Sequence, residues 1–248
     1  MTTRADHTDA ASIATEAGQL LMRIRQSGLS QADLKAEGDQ RSNELILRLL
    51  GERHPDDAIL SEESADSAGR LTAHRVWIVD PLDGTREFSE GDRNDWAVHV
   101  ALVSGGELAA GAVALPAQGV TLSTAELPAT PPARDERIRL LVSRTRPSEH
   151  ATALADKLDA ELVPMGSAGA KVAAVITGAA EVYAHSGGQY EWDSAAPVAV
   201  ATAAGLHVSR LDGTPLRYNQ PDPWLPDLLV CRADLAERIL NVLNHLGV

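Results

Sequence analysis

The segment Trp77 to Phe88 reads WIVDPLDGTREF, with hydrophobic strand-formers running straight into two aspartates, Asp80 and Asp83, separated by a proline and a leucine. A carboxylate closing the apolar run Val76-Trp77-Ile78-Val79 lies near buried surface, where an unpaired charge is costly, so it calls for a cation. Pro81 is expected to stop the strand, turning the Leu82 carbonyl inward and pointing Asp83 back toward Asp80. Gly84 and Thr85 then open what should be a helix, whose free N–H groups and dipole suit a phosphate. One short turn thereby offers metal ligands beside an anion site. Carboxylate and carbonyl oxygens, with no His or Cys at ligand spacing, select hard Mg²⁺, with Mn²⁺ as a substitute, over zinc.

Further acids gather where strands or loops meet helices: Asp39, Glu62-Glu63 and Asp193. Others, such as Asp56, Asp57, Asp66, Asp156 and Glu237, read as ordinary surface charge. Asp212-Gly213-Thr214 repeats the letters D-G-T without a second acid nearby, and sits between strand-forming segments, so it reads as a hairpin turn.

The elements that must position these groups fall into two halves. Helical spacing from Ala10 to about Arg25, behind Asp9 as N-cap, predicts a first helix; Arg41 to Arg53 predicts a second, with Asp39 in KAEGDQ just before it. Strands are expected at Ala58 to Leu60, Arg75 to Val79 and Ala97 to Val103, with short antiparallel strands from Glu107 to Thr124. These make an α+β lobe over residues 1–130. The proline-rich, charged segment Glu126 to Arg137 reads as a linker. Beyond it strands and helices alternate: strand Ile138 to Ser143, helix from Pro147, strand Glu161 to Met165, helix Ser167 to Thr177, strand Glu181 to His185, helix Asp193 to Ala204. A hairpin through HVSRLDGTPLRYN, a strand at Leu228 to Cys231 and a helix from Ala233 complete an α/β lobe over residues 131–248.

A chain of 248 residues, 44% hydrophobic, can bury a sizeable core. Its formal charge of -13, from 35 acidic against 22 basic residues, repels a phosphate polymer and excludes long nucleic acid as a partner. A small phosphorylated molecule stays open as a ligand where metal ions invert the local charge. A single cysteine, Cys231, excludes an internal disulfide or a cysteine-rich metal site. With no signal-like N-terminus and no apolar run long enough to span a bilayer, the expectation is a cytoplasmic protein with no membrane partner.

Three motifs in order, Glu62-Glu63-Ser64, Asp80-Pro81-Leu82-Asp83-Gly84-Thr85 and Trp192-Asp193-Ser194-Ala195-Ala196, resemble those of the inositol monophosphatase superfamily of magnesium-dependent, lithium-sensitive phosphatases. The resemblance implies a layered αβαβα fold with two lobes flanking a metal-containing cleft, and leaves room for a homodimer. It implies that Glu62, Asp80 and the Leu82 carbonyl hold one Mg²⁺, that Asp80, Asp83 and Asp193 hold a second, and that a weaker third ion sits near Glu62 and Asp39. Thr85 and Asp39 would then work on the attacking water, with Gly84 and Thr85 holding a phosphate oxygen.

Within that superfamily, Arg86-Glu87-Phe88, Ser143-Arg144-Thr145 and Glu191-Trp192-Asp193 resemble the branch that hydrolyses the 3'-phosphate of 3'-phosphoadenosine 5'-phosphate (PAP) in sulfate assimilation. Ser143, Arg144, Ser167 and Lys171 are the substrate-binding residues this implies, Lys171 and Arg144 meeting the 5'-phosphate. Inositol-1-phosphate and fructose 1,6-bisphosphate remain alternative substrates, and a non-catalytic phospho-ligand binder is the alternative from another class. Base stacking would come from Tyr183, His185, Tyr190 or Trp192.

Overall fold

The computed structural model describes residues 2–126, 129 and 137–248. Helix α1, Arg4–Arg25, buries Ala10, Ile13, Ala14, Ala17, Leu21 and Ile24 along one stripe. It starts earlier than Asp9, because Thr3 and Asp6 form a reciprocal capping box. Asp9 is instead paired with Arg53 at 3.1 Å and His54 at 3.1 Å. Helix α2, Gln31–Arg53, is capped by Ser30 and runs unbroken through Gly38, so Asp39 lies inside the helix and not ahead of it. Gly38, inside the helix, serves close packing: a Cβ there would stand 2.9 Å from both Leu82 Cδ2 and Phe88 Cε1. Its absence lets α2 lie directly on the acidic turn.

The first sheet has the order β1-β2-β3-β4-β5, from β1 (Ala58–Ser61), β2 (Arg75–Asp83), β3 (Ala97–Ser104), β4 (Glu107–Leu115) and β5 (Val120–Ser123), with the short helix α3 (Thr85–Ser89) following β2. Only β1 and β2 run parallel within it. Pro81 does not stop β2. The register passes from Asp80 opposite His99 to Asp83 opposite Ala97, three steps against two, so the strand bulges at Pro81-Leu82 and continues. A proline lacks the N–H a ladder needs and is tolerated at such a bulge.

The second half contains β6 (Arg139–Ser143), α4 (Glu149–Leu158), β7 (Glu161–Met165), α5 (Ala168–Ile176), β8 (Val182–Tyr190), α6 (Glu191–Ala203), β9 (His207–Ser209), β10 (Trp224–Cys231) and α7 (Ala236–His245). Its sheet has the order β7-β6-β8-β10-β9. The expected hairpin does not form: β9 pairs with β10, and the chain between them is irregular. Asp212 to Thr214 is a turn as read, with Asp212 Oδ1 accepting from Thr214 N at 2.8 Å and Gly213 at φ +84°.

Alternate residues of β2 and β3 feed two different cores. Trp77, Val79, Val98, Val100 and Leu102 pack under α1 and α2, whereas Val76, Ile78, Ala101 and Val103 join a core that includes α5, α6, and Tyr183, Leu228 and Val230 of the second sheet. A third core lies under α4 and α7. The layers are therefore helix, sheet, helix, sheet, helix, and the two sheets share the small-residue pair α5/α6 between them. The expected boundary at 130/131 and most of the linker lie outside the described residues. Among the described residues no helix is long and apolar enough to cross a membrane.

Candidate active site

The bulge at Pro81-Leu82 decides where the carboxylates go. Asp80 and Asp83 both turn into the region where the first sheet meets the first turns of α5 and α6, and with Asp193 they place a carboxylate oxygen each within 4.8 Å of one another. Asp80 is 1% exposed. Burial, and then the facing charges of Glu62, Asp83 and Asp193, hold its carboxyl well above the usual range. Glu62, just past β1 and beside Asp80, is pushed up to about 7 by burial and by Asp193. Asp193 is raised to about 6 by burial and by Asp83; its Oδ2 accepts the Tyr190 N–H at 2.6 Å.

Asp83 differs. Burial would raise it too, but its partners outweigh that and hold it low: the imidazole of His99 beside it, the Ser167 hydroxyl at 2.5 Å and the Gly169 N–H at 2.6 Å. Ala168 N adds a longer contact at 3.2 Å. The free N–H groups at the start of α5 are thus occupied by a carboxylate of the chain itself. The anion site expected at Gly84-Thr85 opens a helix of only five residues, whose dipole is correspondingly small.

Asp39 reaches the same place from α2. The Thr85 hydroxyl lies 3.2 Å from both Asp39 Oδ1 and the Leu82 carbonyl oxygen. Burial and the nearby Glu63 raise Asp39 to about 6, against the lowering effect of that hydroxyl. Gly84 is left-handed at φ +86°, with Ser167 Cβ and Trp96 Cβ 3.1 and 3.2 Å from where a side chain would begin, so only glycine fits the turn.

A cleft of about 490 Å³ opens beside the acids, bounded by Asp83, Asp193, Lys171, Tyr183, Tyr190 and Trp224. Ser143 and Ser167 also border it. The Ser167 hydroxyl is committed to Asp83, and Ser143 Oγ accepts from Arg146 N at 3.3 Å. Lys171 is buried, not a solvated surface lysine. Its Nζ donates to the carbonyls of Gly166 (2.8 Å) and Ser167 (2.6 Å) and sits 5.2 Å above the Tyr183 ring, using two of its three N–H groups on the backbone. Burial pulls its pKa down against the pull of the surrounding carboxylates.

Arg144 is not at the cleft as a free cation. Its guanidinium donates to Glu87 Oε1 at 2.5 Å and Glu90 Oε1 at 2.8 Å, and so ties the second sheet to α3. Gly166 belongs to the same junction, since a Cβ there would meet Glu87 Cγ at 2.3 Å. Sequence reasoning missed His99, Trp224 and this junction. A histidine inside the apolar run of β3 was a readable signal; nothing local marks Trp224.

Buried carboxylates with raised affinity for protons, facing one another around an all-oxygen donor set, fit a hard divalent cation. Residues 4–245 match the inositol monophosphatase family. The chain belongs to the inositol monophosphatase family. Members of this family are metal-dependent. It is 48% identical to the 3'-phosphoadenosine 5'-phosphate phosphatase of Mycobacterium leprae, over 98% of this chain and 96% of that one. It is 32% identical to the 3'(2'),5'-bisphosphate nucleotidase CysQ of Escherichia coli, over 86% and 94%. Among solved structures, inositol monophosphatase II of Staphylococcus aureus superposes with a TM-score of 0.82 at 22% identity, covering 96% of this chain and 95% of that one, a likeness of fold.

Proposed function

We infer that this chain is a Mg²⁺-dependent phosphomonoesterase that removes the 3'-phosphate of PAP, giving AMP and inorganic phosphate. The observation that carries the reading is the joining of two features: an acid cluster able to hold divalent ions, and, at its edge, a cleft with a buried lysine and an aromatic rim. The near-full-length similarity to a PAP phosphatase supports the same substrate.

Glu62, Asp80 and the Leu82 carbonyl would hold one Mg²⁺, and Asp80, Asp83 and Asp193 a second. Bound there, such ions supply charge neutralisation on the phosphoryl oxygens and a more acidic water. The chain's own part is orientation and proton transfer. The Thr85 hydroxyl accepts a hydrogen bond from the attacking water while donating to Asp39, and Asp39, raised to about 6, is a base matched to neutral pH. Lys171 binds the 5'-phosphate, without the help from Arg144 that the sequence suggested, because Arg144 is held by Glu87 and Glu90. Tyr190 and Trp224, each about half exposed at the rim, offer the base a surface to stack on.

Phosphate release with Mg²⁺ from PAP, adenosine 3'-monophosphate, inositol 1-phosphate and fructose 1,6-bisphosphate tests this. PAP should be the best substrate, and Lys171→Ala should cut kcat/KM for PAP by roughly tenfold, as expected for one charge-assisted contact, with little effect on inositol 1-phosphate. Li⁺ should inhibit where K⁺ does not. Inositol 1-phosphate as the better substrate would move the activity to the other branch and remove the role given to Lys171.

A further inference from the structure

His99 stands in β3 directly opposite Asp80 and is completely buried. Its Nδ1 lies 3.0 Å from the carbonyl oxygen of Trp192. A carbonyl only accepts, so Nδ1 carries the proton, and this contact fixes how the ring stands. The other end is then aimed at Asp83, with Nε2 3.2 Å from Oδ2, and Nε2 is one of the few buried polar side-chain atoms of the described residues without a hydrogen-bond partner. A third element closes over the ring. A Cβ on Gly169, in the first turn of α5, would stand 2.0 Å from Nε2, so that turn accepts the imidazole only because the residue is glycine.

The imidazole thus touches three elements at once: the end of β2 that carries Asp83, the turn of α5 whose N–H groups hold Asp83, and Trp192, which directly precedes Asp193 in α6. Asp83 and Asp193 reach the cleft on separate elements, 110 positions apart in the chain. Asp83 is fastened on its α5 side by Ser167 and Gly169; among the described residues, His99 is the side chain that bridges from it to the backbone of α6.

We propose that His99 is a positioning residue that holds Asp83 and Asp193 at the separation a divalent ion requires, and that Gly169 is glycine in order to admit it. The proposal rests on the reading of the acid cluster as a metal site. Buried partners that orient metal ligands commonly account for 10- to 100-fold in metal affinity. His99 touches neither the cleft nor a substrate position, so its effect belongs in metal affinity and not in the rate of the fully loaded enzyme.

The test measures Mn²⁺ binding directly, by electron paramagnetic resonance of the free ion with the substrate-free protein. Wild type, His99→Leu, His99→Asn and Gly169→Ala are compared, with Asp80→Asn as the control for the metal site itself. His99→Leu removes both contacts and should raise the Mn²⁺ Kd by about tenfold or more. His99→Asn keeps a donor near the Trp192 carbonyl and loses the arm toward Asp83, so it should fall between Leu and wild type. Gly169→Ala, which displaces the ring from the α5 side, should weaken binding as His99→Leu does. In His99→Asn the Mg²⁺ concentration for half-maximal phosphatase activity should rise while kcat at saturating Mg²⁺ stays within about twofold of wild type. An unchanged Mn²⁺ Kd in His99→Asn and Gly169→Ala overturns the proposal, and so does a loss of kcat that saturating Mg²⁺ does not restore. Wild type that binds no more Mn²⁺ than Asp80→Asn overturns the metal reading itself, a separate failure.

Discussion

Two acid-rich regions of this molecule use the same residue types and reach opposite electrostatic states. At the junction of α1, α2 and β2, each carboxylate meets a cation. Arg75 donates to Asp6 at 2.6 Å and to Asp57 at 2.9 Å, while Arg53 pairs with Asp9 and Glu16. Burial there raises Asp6, but Arg75 and Thr3 more than reverse it and bring its pKa down to about 2. In the cleft the carboxylates face one another, and Glu62 goes the other way, up to about 7. The contrast marks the cleft as the functional region. Paired acids stabilise a fold, whereas buried acids that lack cations are kept for something the chain does not itself supply.

The strongest test of this contrast is Asp80→Asn, which keeps shape and removes a charge from the centre of the cluster. Phosphatase activity should fall by about 10³-fold, the scale of losing several kcal/mol of transition-state stabilisation. Thermal stability in EDTA should rise, because a repulsive charge is gone. Near-normal turnover at saturating Mg²⁺ would break the functional half of the comparison. Arg75→Met examines the other half. It leaves Asp6 and Asp57 buried without their partner and should destabilise the protein by about 2–3 kcal/mol in urea unfolding, with kcat per folded molecule unchanged.

The pH dependence of stability separates the two regions without a mutation. Asp39, Glu62 and Asp193 have folded pKa values of about 6, about 7 and about 6, above their ordinary values. Their contribution is fully present below about pH 4 and is lost as pH rises through 6 to 7. Asp6, lowered to about 2, contributes above about pH 4 and is lost as pH falls toward 2. Calorimetry in EDTA should therefore give a higher Tm at about pH 5 than at about pH 8, and saturating Mg²⁺, which competes with those protons, should flatten or invert that slope. A metal-free Tm that climbs between these pH values would contradict the assignment. The smallest expected effect is at Arg144. As a cation already neutralised by Glu87 and Glu90, its replacement by alanine should change kcat/KM for PAP by less than about threefold, well below the Lys171→Ala effect; an equal loss would return Arg144 to the substrate.

How much of this was legible beforehand depends on the range of the interactions. Asp80, Leu82, Asp83, Gly84 and Thr85 lie within six residues and could be read together as one turn. The β-bulge is not legible locally, because a proline after a strand looks the same whether the ladder ends or skips one residue; β3 supplies the register that decides it. Local sequence puts Asp39 ahead of a helix that in fact contains it, because the packing use of Gly38 depends on Leu82 and Phe88 more than forty residues on. The sequence around Arg144 shows a free cation because the two glutamates that hold it lie 57 and 54 residues earlier in the chain.

The residue types of the acidic motifs, their order and the all-oxygen chemistry they imply can all be read from the chain, since they follow from local composition and spacing. Which charges are free is a property of the fold. Whether an acid is repelled or paired, whether Lys171 is solvated or buried, and whether His99 idles in a strand or spans two carboxylate-bearing elements all depend on groups brought within about 4 Å by folding. At that distance in a low-dielectric interior, a neighbour's charge outweighs anything the residue's own identity contributes.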